Sequence, residues 1–270
     1  MSFSSTDLTP RIGTEIHSDI TTLLSGKYAS EIRDILERRG VVVFREINMS
    51  DAQQLAFTAT LGNVVDEGDK GIYKVTLDTK ENAQAEYLKG AFYWHIDGTT
   101  LNVPILASLL TAKRLSETGG DTEFCNTYTA YDDLSDEEKQ EYHNYKVVHS
   151  LENAQLYVHP EPSYAEISGW RHVPSNTLPL VWKHKSGRNS LVLGSTAAYI
   201  EGMEYQAGRA LLVKLRDYAT NPKYVYRHQW KVGDLVIWDN TGTMHRATAY
   251  PLDSGRMMHR TKLAGEESFA

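Results

Sequence analysis

Apolar residues along the chain follow two different periods. Between 19 and 39, Ile20, Leu23, Leu24, Ile32, Ile35 and Leu36 recur at roughly helical spacing, and Gly40 supplies a stop signal. VVVF at 41–44 is a β-branched run bounded by polar residues, which reads as a buried strand. Ser50 followed by Gln53 makes a capping-box pattern that opens a helix to about Leu61, and Gly62 ends it. From 63 to 90 the period fades into a charged, glycine-containing stretch with one strand-like island at 72–77. Beyond it strand patterns dominate, at 91–97, 105–112, 121–128, 145–151, 178–184, 189–194, 235–239 and 256–263. Helical patterns interrupt them at 135–145 and 206–219, and 152–178 is a second irregular, aromatic-bearing insert. Many short strands with few helices predict a mainly β fold with flanking helices, a sandwich or a double-stranded β-helix (jelly-roll) core. No repeat or linker divides the chain, so 1–270 is expected to form one domain, with the inserts near 63–92 and 152–178 serving as lids.

Composition changes this picture in two places. One cysteine, Cys125, rules out an internal disulfide and any cysteine-rich zinc site. Ten histidines leave a metal held by nitrogen and oxygen as the open possibility. The formal charge of −7, without a basic stripe, argues against a nucleic-acid partner. No window approaches the roughly 20 apolar residues of a membrane span. The first residues carry neither a basic nor an apolar leader segment. The expectation is a cytoplasmic protein acting on a small-molecule substrate.

The chemistry concentrates around His95-Ile96-Asp97. His-x-Asp is weak evidence alone, but side chains at i and i+2 of a strand project to one face, where an imidazole and a carboxylate can share an ion. The pair precedes the turn signal Gly98-Thr99-Thr100, so it belongs at a strand end. His245, after the turn–strand–turn pattern of 233–240, is the candidate third ligand. Two histidines and one carboxylate with the remaining positions open make the facial triad of non-heme Fe(II) oxygenases. A structural zinc site would instead be closed by a fourth protein ligand. Arg256 and Arg260 share a face with Met258 on the strand after His245. An inward guanidinium demands an anion, and a dicarboxylate such as 2-oxoglutarate could chelate iron at one end and pair with arginine at the other.

With these residues in order, the chain resembles the TauD/TfdA family of taurine and 2,4-dichlorophenoxyacetate dioxygenases, which use Fe(II), 2-oxoglutarate and O2. The similar features are WHID at 94–97, GGDT at 119–122, GD with WDN within 233–240, His245, and Arg256 with Arg260. The segments 178–203 and 261–265 look closest to the aryloxyalkanoate-dioxygenase branch. The resemblance implies that His95, Asp97 and His245 hold the iron and that Thr122 and Arg256 bind 2-oxoglutarate. It implies that Arg260 faces the substrate anion or the cosubstrate's other carboxylate. It also implies a homo-oligomer, dimer or tetramer. Thr241 departs from the pattern, because arginine often follows WDN in the family. Asp97 disfavours halogenation, since halogenases of this type lose that carboxylate.

Most other chemistry-bearing residues have plainer readings. His149, His159, His172, His184, His228 and His259 are expected to be structural, and His143 solvated. Cys125 reads as a packing residue. The acidic run at 132–141 reads as a solvated helix N-terminus. Tyr73, Lys74, Trp94 and Arg260 are the candidate substrate contacts; Tyr93, Tyr157, Trp170 and Arg171 are weaker ones. The expected reaction is hydroxylation of a small to medium anionic, partly hydrophobic substrate, with release of succinate and CO2. Cleavage of a carbon–heteroatom bond or further oxidation is open to the same triad. A zinc metallohydrolase with the same ligands and a non-catalytic jelly-roll binding module are the alternatives.

Overall fold

The run VVVF becomes the strand Val41–Phe44, buried on both faces, and it sits inside a seven-stranded sheet of the computed structural model, which describes residues 3–269. Across that sheet the order is Ser4–Asp7, Thr14–His17, Val41–Phe44, Leu235–Asp239, Ala107–Arg114, Met257–Leu263 and Tyr73–Val75. The Leu235–Asp239 strand pairs antiparallel with Val41–Phe44 on one side and Ala107–Arg114 on the other. A three-stranded sheet faces it, with Thr122–Asn126 between Val225–His228 and Thr243–Ala247.

Side-chain alternation shows which way each strand points. Val41, Val43, Leu110, Val236, Trp238 and Met258 from the large sheet share one core with Phe124 and Tyr226 from the small one. The alternate positions Val42, Phe44, Leu109, Leu235 and Ile237 turn outward and are covered by the helices Ala29–Arg39 and Asp51–Leu61. Behind the small sheet lies the largest apolar cluster, where Cys125 and Met244 meet the helix Tyr205–Ala219 and the hairpin Val181–Lys183/Asn189–Leu191. Two facing sheets with helices outside make the jelly-roll core that the strand pattern implied.

Several local expectations change. The helix expected over 19–39 is two, Ile20–Leu24 and Ala29–Arg39, parted at the poor helix formers Ser25 and Gly26. The capping box Ser50/Gln53 opens Asp51–Leu61 as read. The strand read over 121–128 stops at Asn126, whose side chain accepts from Tyr128 N and Thr129 N and starts a short helix. The 178–184 strand divides into Asn176–Pro179 and Val181–Lys183. The strand expected at 91–97 does not form: a 3-10 turn, Lys89–Phe92, leads into an extended segment that touches a neighbour at a single bridge. Both inserts carry structure, with Tyr73–Val75 and Ala85–Leu88 in the first and Tyr164–Trp170 in the second.

Candidate active site

That single bridge builds the site. His95 N donates to His245 O at 3.0 Å and His245 N donates back to His95 O at 2.9 Å, which sets the two residues directly opposite each other. Their rings lie 4.1 Å apart, centroid to centroid. Asp97 Oδ1 lies 3.7 Å from His95 Nε2. His95, Asp97 and His245 thus bring three ligand atoms within 4.8 Å of one another, the one such His/Cys/Asp/Glu group among the described residues. His95 and Asp97 meet at i and i+2 in extended backbone, as the spacing required, although no regular strand carries them.

Two of the three donors are oriented by hydrogen bonds. His95 Nδ1 donates to the Tyr93 carbonyl at 2.8 Å, which leaves Nε2 as the free lone pair. Ser108 Oγ donates to Asp97 Oδ2 at 3.1 Å, Asn240 Nδ2 donates to Ser108 Oγ at 3.2 Å, and Trp238 Nε1 donates to Asn240 Oδ1 at 3.0 Å. Asp97 is half-buried, and its desolvation raises its pKa, yet the neighbouring His245, Arg260, His95 and Lys262 outweigh that and hold it below the usual carboxylate range. Burial drives His245 toward its neutral, ligating form, and His95 adds to that push. His245 Nδ1 is buried and has no hydrogen-bond partner. This donor set, two imidazoles and one carboxylate, fits a divalent iron-type ion.

The cavity beside the three residues measures about 260 Å3 and also takes in Thr122, Arg256 and Arg260. Arg256 is 4% exposed, and among the described residues no carboxylate pairs with it. Its Nη2 donates to Gly120 O at 3.1 Å, its guanidinium lies 4.9 Å over the Tyr250 ring, and its Nε is buried without a partner. The backbone at Gly120 comes so close that a Cβ there would sit 3.1 Å from Arg256 Nε, with φ at +79°. A buried, unneutralised guanidinium is costly unless an anion completes it. Thr122 is buried at the same wall and its hydroxyl accepts from Trp230 Nε1 at 3.0 Å. Gly194 presses on the other side, where a Cβ would fall 2.9 Å from His95 Cα.

The other candidates divide. Arg260 lines the cavity, but its charge is shared: Glu67 from the first insert lies 3.1 Å from Arg260 Nε and 2.9 Å from Lys262 Nζ. Tyr73 lies under that guanidinium at 4.6 Å without lining the cavity. Lys74 is corrected to the surface, where it pairs with Glu81 at 2.7 Å; adjacent strand positions face opposite ways, and Lys74 points out. Trp94 alternates with His95 in the same way and faces a separate cleft of about 500 Å3 with Tyr93, Tyr157 and Arg246. Arg171 is bound by Glu152 at 2.6 Å on the surface. The remaining histidines have structural partners, such as Asp234 for His228 and Asp51 for His259.

Some residues of the site carried no sequence signal. Val75, Tyr87 and Leu88 from the first insert, with Leu151, Ala154 and Gln155 near the second, supply most of the cavity's apolar wall. Ser108 lies within an apolar run and was unmarked. Asn240 closes the turn–strand–turn pattern of 233–240, and its place near Trp238 in WDN is the available clue to its role.

A protein-family model, Taurine catabolism dioxygenase TauD, TfdA family, matches residues 4–262. The alpha-ketoglutarate-dependent 2,4-dichlorophenoxyacetate dioxygenase of Burkholderia sp. (strain RASC) is 34% identical, over 87% of this chain and 86% of its own. The alkylsulfatase of Acinetobacter baylyi (strain ATCC 33305 / BD413 / ADP1) is 32% identical, over 96% of this chain and 84% of its own. The crystal structure of AAD-2 in complex with Mn(II) and N-oxalylglycine superposes with a TM-score of 0.87 at 32% identity, covering 100% of both chains.

Proposed function

The chain belongs to the TauD, TfdA dioxygenase family, and from that premise we propose that its substrate is a small to medium anion with a hydrophobic body. It is an Fe(II)/2-oxoglutarate-dependent dioxygenase: O2, 2-oxoglutarate and a substrate C–H bond give a hydroxylated product, succinate and CO2. When bound, the iron supplies the oxygen-activating chemistry.

The side chains bind, orient and exclude water. His95, Asp97 and His245 would hold the ion. Ser108 and the Tyr93 carbonyl keep the carboxylate and the imidazole turned toward it. Arg256, with Thr122 beside it, pairs with the far carboxylate of 2-oxoglutarate. Arg260 lines the cavity, and in its ion cluster two cations, Arg260 and Lys262, meet the one carboxylate of Glu67, which supports an anionic substrate. Val75, Leu88, Leu110 and Leu151 form an apolar wall for the rest of it and keep water out. A hydroxyl placed next to oxygen, nitrogen or sulfur would collapse with cleavage of the carbon–heteroatom bond. The chain works as one domain with the two inserts as lids, in the cytoplasm, as a homo-oligomeric dimer or tetramer. No helix among the described residues is long and apolar enough to cross a membrane, and neither a membrane nor a nucleic acid enters this reading.

The observation that carries the reading is Arg256, a buried cation that no carboxylate among the described residues pairs with, in the same cavity as the three-donor cluster. A zinc hydrolase or a non-catalytic module would leave it without a counter-ion. The test is succinate release with Fe(II) and 2-oxoglutarate across carboxylates, sulfonates, sulfate esters and aryloxy acids. Stimulation above the uncoupled rate by an anion with an apolar body is expected. Stimulation only by neutral or cationic compounds would overturn the substrate class.

A further inference from the structure

Leu151, Ala154 and Gln155 stand at i, i+3 and i+4 of the short helix Leu151–Gln155, so they share a face, and all three line the catalytic cavity. That face is fixed by its neighbours. Ser150 Oγ accepts from Asn153 N at 3.1 Å and starts the helix. Asn153 Nδ2 then donates to Ser195 O at 2.7 Å and Ala197 O at 3.0 Å, which ties the helix to Ser195, itself part of the cavity wall.

Leu151 and Ala154 are apolar, as are Val75, Leu88 and Leu110 elsewhere in the wall. Gln155 is not, and it is only 4% exposed. A side chain this buried normally finds its hydrogen-bond partners inside the protein. The Gln155 amide has none among the described residues, yet neither Oε1 nor Nε2 is sealed off, and each keeps accessible surface. The little of Gln155 that can be reached therefore includes both ends of its amide, and the cavity that it lines is the catalytic one. A Cβ on Gly90 would lie 3.9 Å from Nε2, which sets the amide nitrogen beside another residue of the same wall. A substrate that covers this amide without returning its hydrogen bonds loses affinity. A carboxylate or an ether would satisfy only the N–H groups, whereas a second planar amide satisfies N–H and C=O together.

We propose that Gln155 selects the substrate, and that the anion carries on its apolar body a carboxamide, or a similar planar donor–acceptor group such as a lactam or urea, that pairs with the Gln155 amide. This rests on the anionic-substrate reading above, in which Arg260 of the same cavity takes the charged end.

The test is calorimetric titration of the full-length protein, loaded with Fe(II) and saturating 2-oxoglutarate without oxygen. The probes are the monoamides of succinate, glutarate, adipate and pimelate. Their controls are the methyl ketones of the same shape, levulinate and its longer homologues, and uncharged hexanamide. At the chain length that fits, the amide should bind wild-type protein roughly tenfold or more tightly than its ketone, since the ketone returns no donor to Oε1. Gln155→Met keeps the length of the side chain and removes the amide, and the ratio should fall to about one, with a thermal midpoint confirming the fold. A merely structural role for Gln155 would leave that ratio unmoved. Amides and ketones that bind the wild type alike at every length, no binding of any probe, or a preference that survives Gln155→Met would each overturn the proposal. Hexanamide binding as tightly as the charged amides, and lost in Gln155→Met, would uphold Gln155 and remove the anionic reading instead. The wild-type comparison of amide with ketone decides the matter even if the variant fails to fold.

Discussion

Ser108 donates to Asp97 Oδ2 across 3.1 Å, and the Asn240 amide holds that serine in turn at 3.2 Å. A residue near the start of the Ala107–Arg114 strand thereby orients a carboxylate that lies in no regular strand at all. Ser108→Ala removes the hydrogen bond with little change in volume. Metal affinity should drop roughly 10- to 100-fold, the usual cost of losing such a partner. Titration of the apo-protein with Co(II), followed by its visible absorption, measures this. Unchanged affinity would mean that the bond is ornamental.

Arg256→Met should separate cosubstrate binding from folding. The KM for 2-oxoglutarate rises on the order of a hundredfold, because a charge-assisted pair worth about 1.5–3 kcal/mol is lost. Stability holds or rises by about 1–3 kcal/mol, because an uncompensated buried charge disappears. Steady-state kinetics and urea denaturation of the cosubstrate-free protein check the two halves independently.

Glu67 lies between Arg260 and Lys262 and neutralises one of their two charges. Glu67→Gln should lower the KM for an anionic substrate by roughly three- to tenfold, of order 1 kcal/mol, and make that KM more sensitive to salt. A rise in KM would instead assign Glu67 to substrate contact.

Gly194 has φ at +118° and leaves no room for a Cβ beside His95. Gly194→Ala should destabilise the fold by about 2–4 kcal/mol, combining backbone strain with overpacking. Metal affinity should fall with it, since the added carbon presses on the backbone of a ligand residue. A thermal melt with the metal removed isolates the first effect.

Burial pushes Asp239 up to about 6, despite the two Thr241 hydrogen bonds that favour its charged form. A folded-state pKa above the unfolded value means stability fully present below about 4 and lost as pH rises through about 6. Asp239→Asn should therefore stabilise the protein by up to about 3 kcal/mol at pH 8 and hardly at all at pH 4. Denaturation curves at the two pH values test the sign, and a larger gain at pH 4 would refute it.

The sequence by itself determined the β-rich core, the capping-box helix and the pairing of His95 with Asp97, because those depend on short-range rules. Period-2 alternation turns Val41 and Val43 inward and Val42 and Phe44 outward wherever the sheet is placed. The i, i+2 spacing brings His95 and Asp97 to one side even without a regular strand. Tertiary structure alone decided the rest. His95 meets His245 through one long-range bridge, and that bridge fixes Trp94 on the opposite side, away from the cavity. Lys74 and Arg260 are both cations that read alike in the sequence, but Glu81 holds one at the surface and Glu67 holds the other at the cavity wall. Asp239 ends the Leu235–Asp239 strand, and only the packing of helix against sheet leaves its second oxygen buried without a donor among the described residues. Direction along a strand is local, whereas the partner that neutralises a charge comes from wherever the fold brings it.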